Sequence, residues 1–166
     1  MEEVIITTYD PIWAVDYEVE RAKFVTALSD IIVGIEHIGS TSVPGLDAKP
    51  VIDMMIGVGD LDVVSLEHIQ SLAALGYEYV EKAEFPERKF FRKGAWRAGT
   101  HHLHMYTYNS AHWQANLYFR DYLRANPQAV KAYSHLKREL KDLYPNDRVN
   151  YTAAKAPFIQ RIINSV

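Results

Sequence analysis

The sequence predicts an α+β fold, a mixed β-sheet flanked by helices with a helical C-terminal part. Three observations carry this. Strand-like and helix-like segments alternate irregularly up to about residue 110, without the regular βαβ repeat of a doubly wound fold. The remainder, about 111–166, shows helical periodicity alone. The 166 residues are 48% hydrophobic and contain no cysteine, enough for a self-standing core without disulfides or a zinc–thiolate site. One domain over 1–166 is expected, its sheet core over about 1–110. No repeat, low-complexity run or long linker interrupts it.

Each element has its own signal. Val4–Thr8 reads as a short strand. Asp16 is placed to cap a helix running to about Ile31, with Val19, Ala22, Val25, Leu28 and Ile32 at helical spacing. Ile35–Ile38 reads as a strand, and Gly39–Pro50 as a polar loop. Val51–Val58 is a strand whose near-continuous apolar run implies burial on both faces. Asp60 or Asp62 caps the next helix, which ends at Gly76, a C′ glycine. Strands follow at Tyr77–Lys82, Lys89–Lys93 and His101–Tyr108. A helix over His112–Ala125 stops at Asn126. Asn126 caps the next helix and Pro127 takes its first position. That helix carries a stripe of Val130, Tyr133, Leu136, Leu140 and Leu143. A final helix contains Phe158, Ile159, Ile162 and Ile163, with Pro157 in its first turn or kinking it.

Composition excludes several classes. The apolar content is too high for a disordered chain. No stretch approaches the ~20 apolar residues that span a bilayer, so no membrane role is expected. The Met-Glu-Glu opening lacks the basic and apolar regions of a signal peptide, so a cytoplasmic protein is expected. The net charge of −3 hides a division: residues 1–81 carry 15 acids and 3 bases, residues 82–166 carry 6 acids and 15 bases. Either the two halves attract each other, or the basic half faces an anionic ligand. Nucleic acid is the less favoured anion, because the total charge is negative and no recognition motif of a nucleic-acid module is present.

Three groups of residues can do chemistry. In the first, Gly39 lets the backbone approach a ligand closely. Ser40, Thr41 and Ser42 offer the hydroxyls and amides that hold phosphate oxygens. Lys49 is the only base between Lys23 and Lys82. Asp53 interrupts an apolar strand and needs a partner there, which a cation would supply. Structurally, the same residues also suit an ordinary turn-rich loop, with Asp53 bonded to backbone amides. The second group is His101, His102 and His104. Alternation puts His102 and His104 on one strand face, roughly 6.5–7 Å apart along it, within reach of one metal ion. His101 points the other way. The third group is basic and mostly helical: Arg120 and Arg124, then Lys137, then Lys155 after Tyr151, with Arg88, Lys89, Arg92 and Lys93 ahead of the histidines. Singly each suits a solvated face; together they suit several phosphate contacts.

The chain resembles the GrpB-like family of the nucleotidyltransferase superfamily. The resemblance runs over nearly the whole length. It includes Y-D-P-x-W at Tyr9–Trp13, H-I-G-S-T-S-V-P-G-L at His37–Leu46 and K-P-V-I-D at Lys49–Asp53. It continues through H-L-H at His102–His104, F-R-D-Y-L-R at Phe119–Arg124, Tyr133 with Lys137, Tyr151 with Lys155, and Phe158-Ile159. Such domains also occur fused behind dephospho-coenzyme A kinase, which implies nucleotide or coenzyme metabolism. The superfamily pattern is Gly-Ser, a spacer, then two carboxylates two residues apart on the next strand, which hold divalent metal ions for phosphoryl chemistry. Gly39-Ser40 match it, twelve residues separate Ser40 from Asp53, and Asp53 matches the first carboxylate. The second position is Met55, which cannot ligate a hard ion.

The resemblance implies transfer of a nucleotidyl or phosphoryl group from a nucleoside triphosphate to a small acceptor. Ser40 and Ser42 would hold phosphates, with Tyr151 at the nucleotide, and Lys49, Arg120, Lys137 and Lys155 would neutralise their charge. Asp53 would bind magnesium, manganese or zinc, aided by His102 or His104, or one histidine would serve as general base. The Met55 departure opens an alternative, a non-catalytic module binding a nucleotide or coenzyme-like phosphate. A metal-dependent hydrolase centred on the histidines is a third reading.

Overall fold

A computed structural model of the protein describes residues 3–95 and 98–165; Met1 and Glu2, part of the leader argument, lie outside them. In chain order the elements are α1 (Ile12–Ala27), β1 (Gly34–Ile38), a 3-10 turn (Ser40–Ser42), β2 (Ile52–Val58) and a second 3-10 turn (Leu61–Val63). These are followed by α2 (Leu66–Ala74), β3 (Glu78–Val80), β4 (Lys89–Ala95), β5 (Ala98–Thr107), α3 (Ala111–Ala125), α4 (Pro127–Leu143) and α5 (Arg148–Ile163). The expected mixed sheet has five strands in the order β1-β2-β5-β4-β3. Only β2 and β5 run parallel; the other neighbours are antiparallel.

Strand alternation gives the sheet two different faces. On one, Ile52, Met54, Ile56 and Val58 of β2 join Leu103 and Met105 of β5 and Phe91 of β4. They pack on Trp13, Tyr17, Phe24 and Leu28 from α1 and on Leu72 of α2. On the other face stand Asp53 and Met55, then His102, His104 and Tyr106. The parallel register sets Asp53 opposite His102 and Met55 opposite His104. Met55 is fully buried there with Ile38, Tyr106 and Trp113. The C-terminal helices close on a core of their own, Leu123, Val130, Tyr133 and Ile162, into which Val43 and Leu46 plug from the β1–β2 connection. That connection is therefore pinned between the sheet and the helices.

Four expectations change. Val4–Thr8 is not a strand of the sheet. It is an extended strap tied by reciprocal backbone hydrogen bonds between Thr7 and Ala48, of 2.9 and 3.0 Å, and buried through Val4 and Ile6 against Leu140 and Tyr151. Helix α1 begins at Ile12, and it buries Trp13, Tyr17, Glu20 and Phe24 while Val19 and Val25 stay exposed. Two stripes compete on this helix, and the aromatic one wins because it removes more apolar area from water. Helix α2 starts at Leu66 behind a Ser65–His68 capping box, while Asp60 caps the 3-10 turn before it. Helix α5 begins at Arg148, capped by the Asp147 carboxylate, which accepts from the Asn150 amide at 3.1 Å. Pro157 thus lies well inside it. Gly76 ends α2 as expected, with φ +93° and a Schellman pair of bonds, Gly76 N–H to Ala73 O and Tyr77 N–H to Leu72 O.

Candidate functional site

A cleft of about 280 Å³ opens where the Asp53 face of the sheet meets α4, α5 and the N-terminal strap. Its polar lining includes Ser40, Lys49, Asp53, His102, Lys137, Arg148, Tyr151 and Lys155. Four cationic side chains thus share a small space with two carboxylates, Glu3 and Asp53. Of the residues singled out from sequence, Ser40, Thr41, Lys49, Asp53, His102, Lys137, Tyr151 and Lys155 meet here. Gly39, Ser42, His104 and Arg120 do not line the cleft.

Asp53 sits at the inner end. His102 Nδ1 and His104 Nε2 each stand 3.3 Å from its Oδ1. Burial works against its charge, but hydrogen bonds from His102 and His104 outweigh it and hold the carboxyl well below the usual carboxylate range. Arg88 braces the arrangement: its guanidinium lies over Phe85 and Phe90, and its NH1 is 3.3 Å from His104 Nδ1. Arginine only donates, so His104 Nδ1 accepts and Nε2 carries the hydrogen aimed at Asp53. Gly39 completes the seat. Its φ is +70°, and a Cβ there would stand 2.8 Å from Asp53 Oδ2. Its role is the close approach of the loop to Asp53, rather than to a ligand.

The cationic end is built differently. Lys137 is 2% exposed. Its Nζ donates a short hydrogen bond to Ser40 Oγ and another, 3.0 Å long, to Asp47 O, and it lies 4.4 Å from the Tyr133 ring centroid. Burial, then the neighbouring Lys155, pull its pKa down to about 7. Burial also lowers Lys155, which lies over the Tyr151 ring. Among the described residues the Tyr151 hydroxyl is buried without a hydrogen-bond partner, and burial pushes its pKa up to about 12.

The loop hydroxyls divide. Thr41 Oγ1 donates to Val51 O and accepts from His37 Nε2, both at 3.0 Å, and Ser42 Oγ donates to Gly39 O at 2.5 Å. Both hydroxyls hold the loop's shape, leaving Ser40 as the half-buried one at the cleft. Arg120 is spent on β1: it binds Glu36 at 2.7 Å, Asp121 at 2.8 Å and His37 O at 3.1 Å. Sequence reading missed Arg148, Thr152 and the strap residues Glu3 to Ile6. Arg148, Tyr151, Thr152 and Lys155 fall at i, i+3, i+4 and i+7 on one helical face. Starting the last helix at Arg148 would have exposed that pattern.

The superfamily pattern implies a divalent metal, and the residues present do not fit a resident one. Asp53 is the only carboxylate on β2, β4 and β5, its Oδ1 faces two imidazoles, and the second carboxylate position is Met55, buried in an apolar cluster. Among the described residues no group of three or more His, Asp or Glu side chains is arranged to hold a metal ion. Asp53, His102 and His104, expected together as metal ligands, stand together as a hydrogen-bonded trio.

The chain is similar to known proteins over nearly its whole length. A family profile described as "GrpB protein" matches residues 3–165. The "Glutamate-rich protein GrpB" of Alkalihalophilus pseudofirmus is 33% identical over 167 residues, covering 99% of this chain and 96% of that protein. The crystal structure of conserved protein GrpB from Enterococcus faecalis superposes with a TM-score of 0.88 at 35% identity, covering 97% and 96% of the two chains. More distantly, a dephospho-CoA kinase of Mycobacterium leprae is 27% identical, and the match spans 93% of this chain and 44% of the kinase. The Cid1 poly(U) polymerase bound to MgGTP matches with a TM-score of 0.55 at 13% identity, over 82% of this chain and 44% of the polymerase, a likeness of fold.

Proposed function

The chain belongs to the GrpB family, and on that premise we propose that its nucleotidyltransferase-like cleft binds the phosphate groups of a nucleoside triphosphate or a coenzyme-like phosphate ligand. The observation that supports this most directly is the convergence of Lys49, Lys137, Arg148 and Lys155 with the Ser40 hydroxyl in one cleft. Lysines whose charge is disfavoured by burial and by each other gain when an anion arrives. The orphaned Tyr151 hydroxyl gains an acceptor by the same event. Because the cations come from the protein, binding persists without a divalent ion. Titration calorimetry with ATP and with tripolyphosphate, each with and without chelator, tests this. Saturable binding in chelator is expected, and Lys155→Met weakens it at least about tenfold. Absence of binding to either compound, or binding strictly dependent on a divalent ion, overturns the reading.

The Asp53–His102–His104 trio favours a second reading, transfer of a nucleotidyl or phosphoryl group to a small acceptor. A histidine held by a carboxylate is placed to accept the proton of an acceptor hydroxyl. This reading predicts nucleotide turnover in an acceptor screen, lost in His102→Ala; no turnover with any acceptor removes it.

A further inference from the structure

Lys137 and Ser40 form a pair that phosphate binding alone does not require. A phosphate-binding lysine ordinarily points its ammonium at the ligand and keeps its charge. Lys137 lines the cleft but is almost wholly buried, and its nitrogen is held by a hydroxyl, a carbonyl and an aromatic face, and by no carboxylate among the described residues. Buried without an ion pair, it is pushed toward the free amine, which is available near neutral pH. The one side-chain hydroxyl it touches, Ser40 Oγ, faces the cleft. Asp47 O fixes the direction of the lysine nitrogen. A hydroxyl within hydrogen-bond reach of a base, the base oriented by a third group, is the arrangement that activates a nucleophile. Ser40 also opens a 3-10 turn behind Gly39, a rigid mount buttressed by Thr41 and Ser42.

We propose that Ser40 and Lys137 are a nucleophile–base pair, and that Ser40 Oγ attacks the terminal phosphorus of the ligand bound in the cleft. The proposal rests on the phosphate-ligand reading and states what happens to that ligand. In the step, the Ser40 hydroxyl proton passes to the neutral Lys137 amine. The Oγ–P bond forms as the bridging P–O bond breaks, and the leaving phosphate group departs with the bonding electron pair. Lys155, close enough to Lys137 to influence its charge, offsets the negative charge on the leaving group. The products are a phosphoserine ester at Ser40, the shortened phosphate compound and a protonated Lys137. Water or an acceptor hydroxyl then attacks the phosphorus: the new O–P bond forms as the Oγ–P bond breaks, Ser40 Oγ takes the proton of the Lys137 ammonium, and the attacking hydroxyl's proton leaves on the phosphate product.

A fluorophosphonate ester, a phosphorus electrophile that expels fluoride, tests the pair without knowledge of the natural ligand. One equivalent of label is expected on the peptide carrying Ser40, mapped by mass spectrometry. The label is absent in Ser40→Ala, and its rate of formation falls about a hundredfold in Lys137→Met. Lys137→Arg keeps a hydrogen-bond donor there but removes the base, and is expected to be as slow. If Lys137→Met fails to give a cooperative thermal transition, Lys137→Gln reads the same rate. Absence of label at Ser40, or an unchanged rate in the folded Lys137 variants, overturns the proposal. Label at Ser40 together with no binding of ATP or tripolyphosphate overturns the phosphate-ligand reading and leaves the pair. Binding without label does the reverse.

Discussion

Asp53 and Gly39 are one unit at the level of the residue. A Cβ at position 39 meets the Asp53 carboxylate, and the backbone there has φ +70°. Gly39→Ala is therefore expected to cost about 1–3 kcal/mol, and part of that cost should vanish in an Asp53→Ala background. A double-mutant cycle by denaturant unfolding checks it, and full additivity would show that the two residues do not press on each other. Lys137 supplies a pH dependence. Its folded-state pKa is lowered to about 7 by burial and by Lys155. A base acts as the free amine, so labelling of Ser40 by the fluorophosphonate is expected to be slow below pH 7 and to speed up as pH rises through that value. Labelling rates across pH 6–9 check it, and a rate flat over that range would contradict it. The Asp53 seat was legible from the Gly-Ser…Asp spacing, because strand alternation sets its face. The uses of Thr41, Ser42 and Arg120 were not, since a hydroxyl or guanidinium reads the same whether it faces a ligand or a neighbouring carbonyl.

At the level of the element, α5 decides how much of the cleft exists. It brings Arg148, Tyr151 and Lys155 to one face, yet carries Pro157 in its interior. Proline there has no N–H to give the carbonyl one turn back and crowds it. Its side chain is exposed, so packing does not compensate. Pro157→Ala is expected to stabilise the protein by about 1–3 kcal/mol, read as a higher thermal midpoint. A lower midpoint would show that the fold uses the fixed proline φ. The last helix was misjudged from sequence for the same reason: a proline suggests a helix start, and only the contacts of Tyr151 and Ile162 with the rest of the molecule carry the helix through it. Helix α1 teaches a related lesson. Two apolar stripes one residue apart fit the period equally well, and which one turned inward depended on the space the sheet left for aromatic rings.

For the whole molecule, the charge division joins the two halves of the chain. Acids of the first half pair with bases of the second in Glu20–Lys93, Glu36–Arg120, Asp47–Arg138 and Glu78–Arg92. Three other bases of the second half, Lys137, Arg148 and Lys155, line the cleft. These pairs differ in weight. Glu20 is 3% exposed and bound by Lys23, Lys93 and Tyr77. Burial opposes its charge, but these hydrogen bonds win and bring its pKa down to about 2. A depressed carboxylate adds stability above its ordinary pKa and loses it as pH falls toward the folded value. About 3 kcal/mol is therefore expected to disappear between roughly pH 4.5 and 2, and Glu20→Gln should flatten that part of the curve. Glu78→Gln, at an exposed pair, should change stability by less than about 1 kcal/mol. Equal slopes for the two variants in acid denaturation would contradict this ordering.

The sequence by itself determined the family, the mixed sheet, and the Gly-Ser loop and Asp53 strand that face each other. It also showed that Met55 stands where a second carboxylate would. The strands and the loop rest on local rules, the period of two in a strand and the short reach of a loop, while the family and the meaning of Met55 rest on the motifs the chain shares with that family. Only the tertiary structure decided which cations share a cavity, that Asp53 meets two histidines, and that Lys137 is buried against Ser40. Ser40 and Lys137 are 97 positions apart. Periodicity tells which way a side chain leaves its own element. What it meets there depends on how distant elements pack, and for a buried lysine that encounter sets its charge and its chemistry.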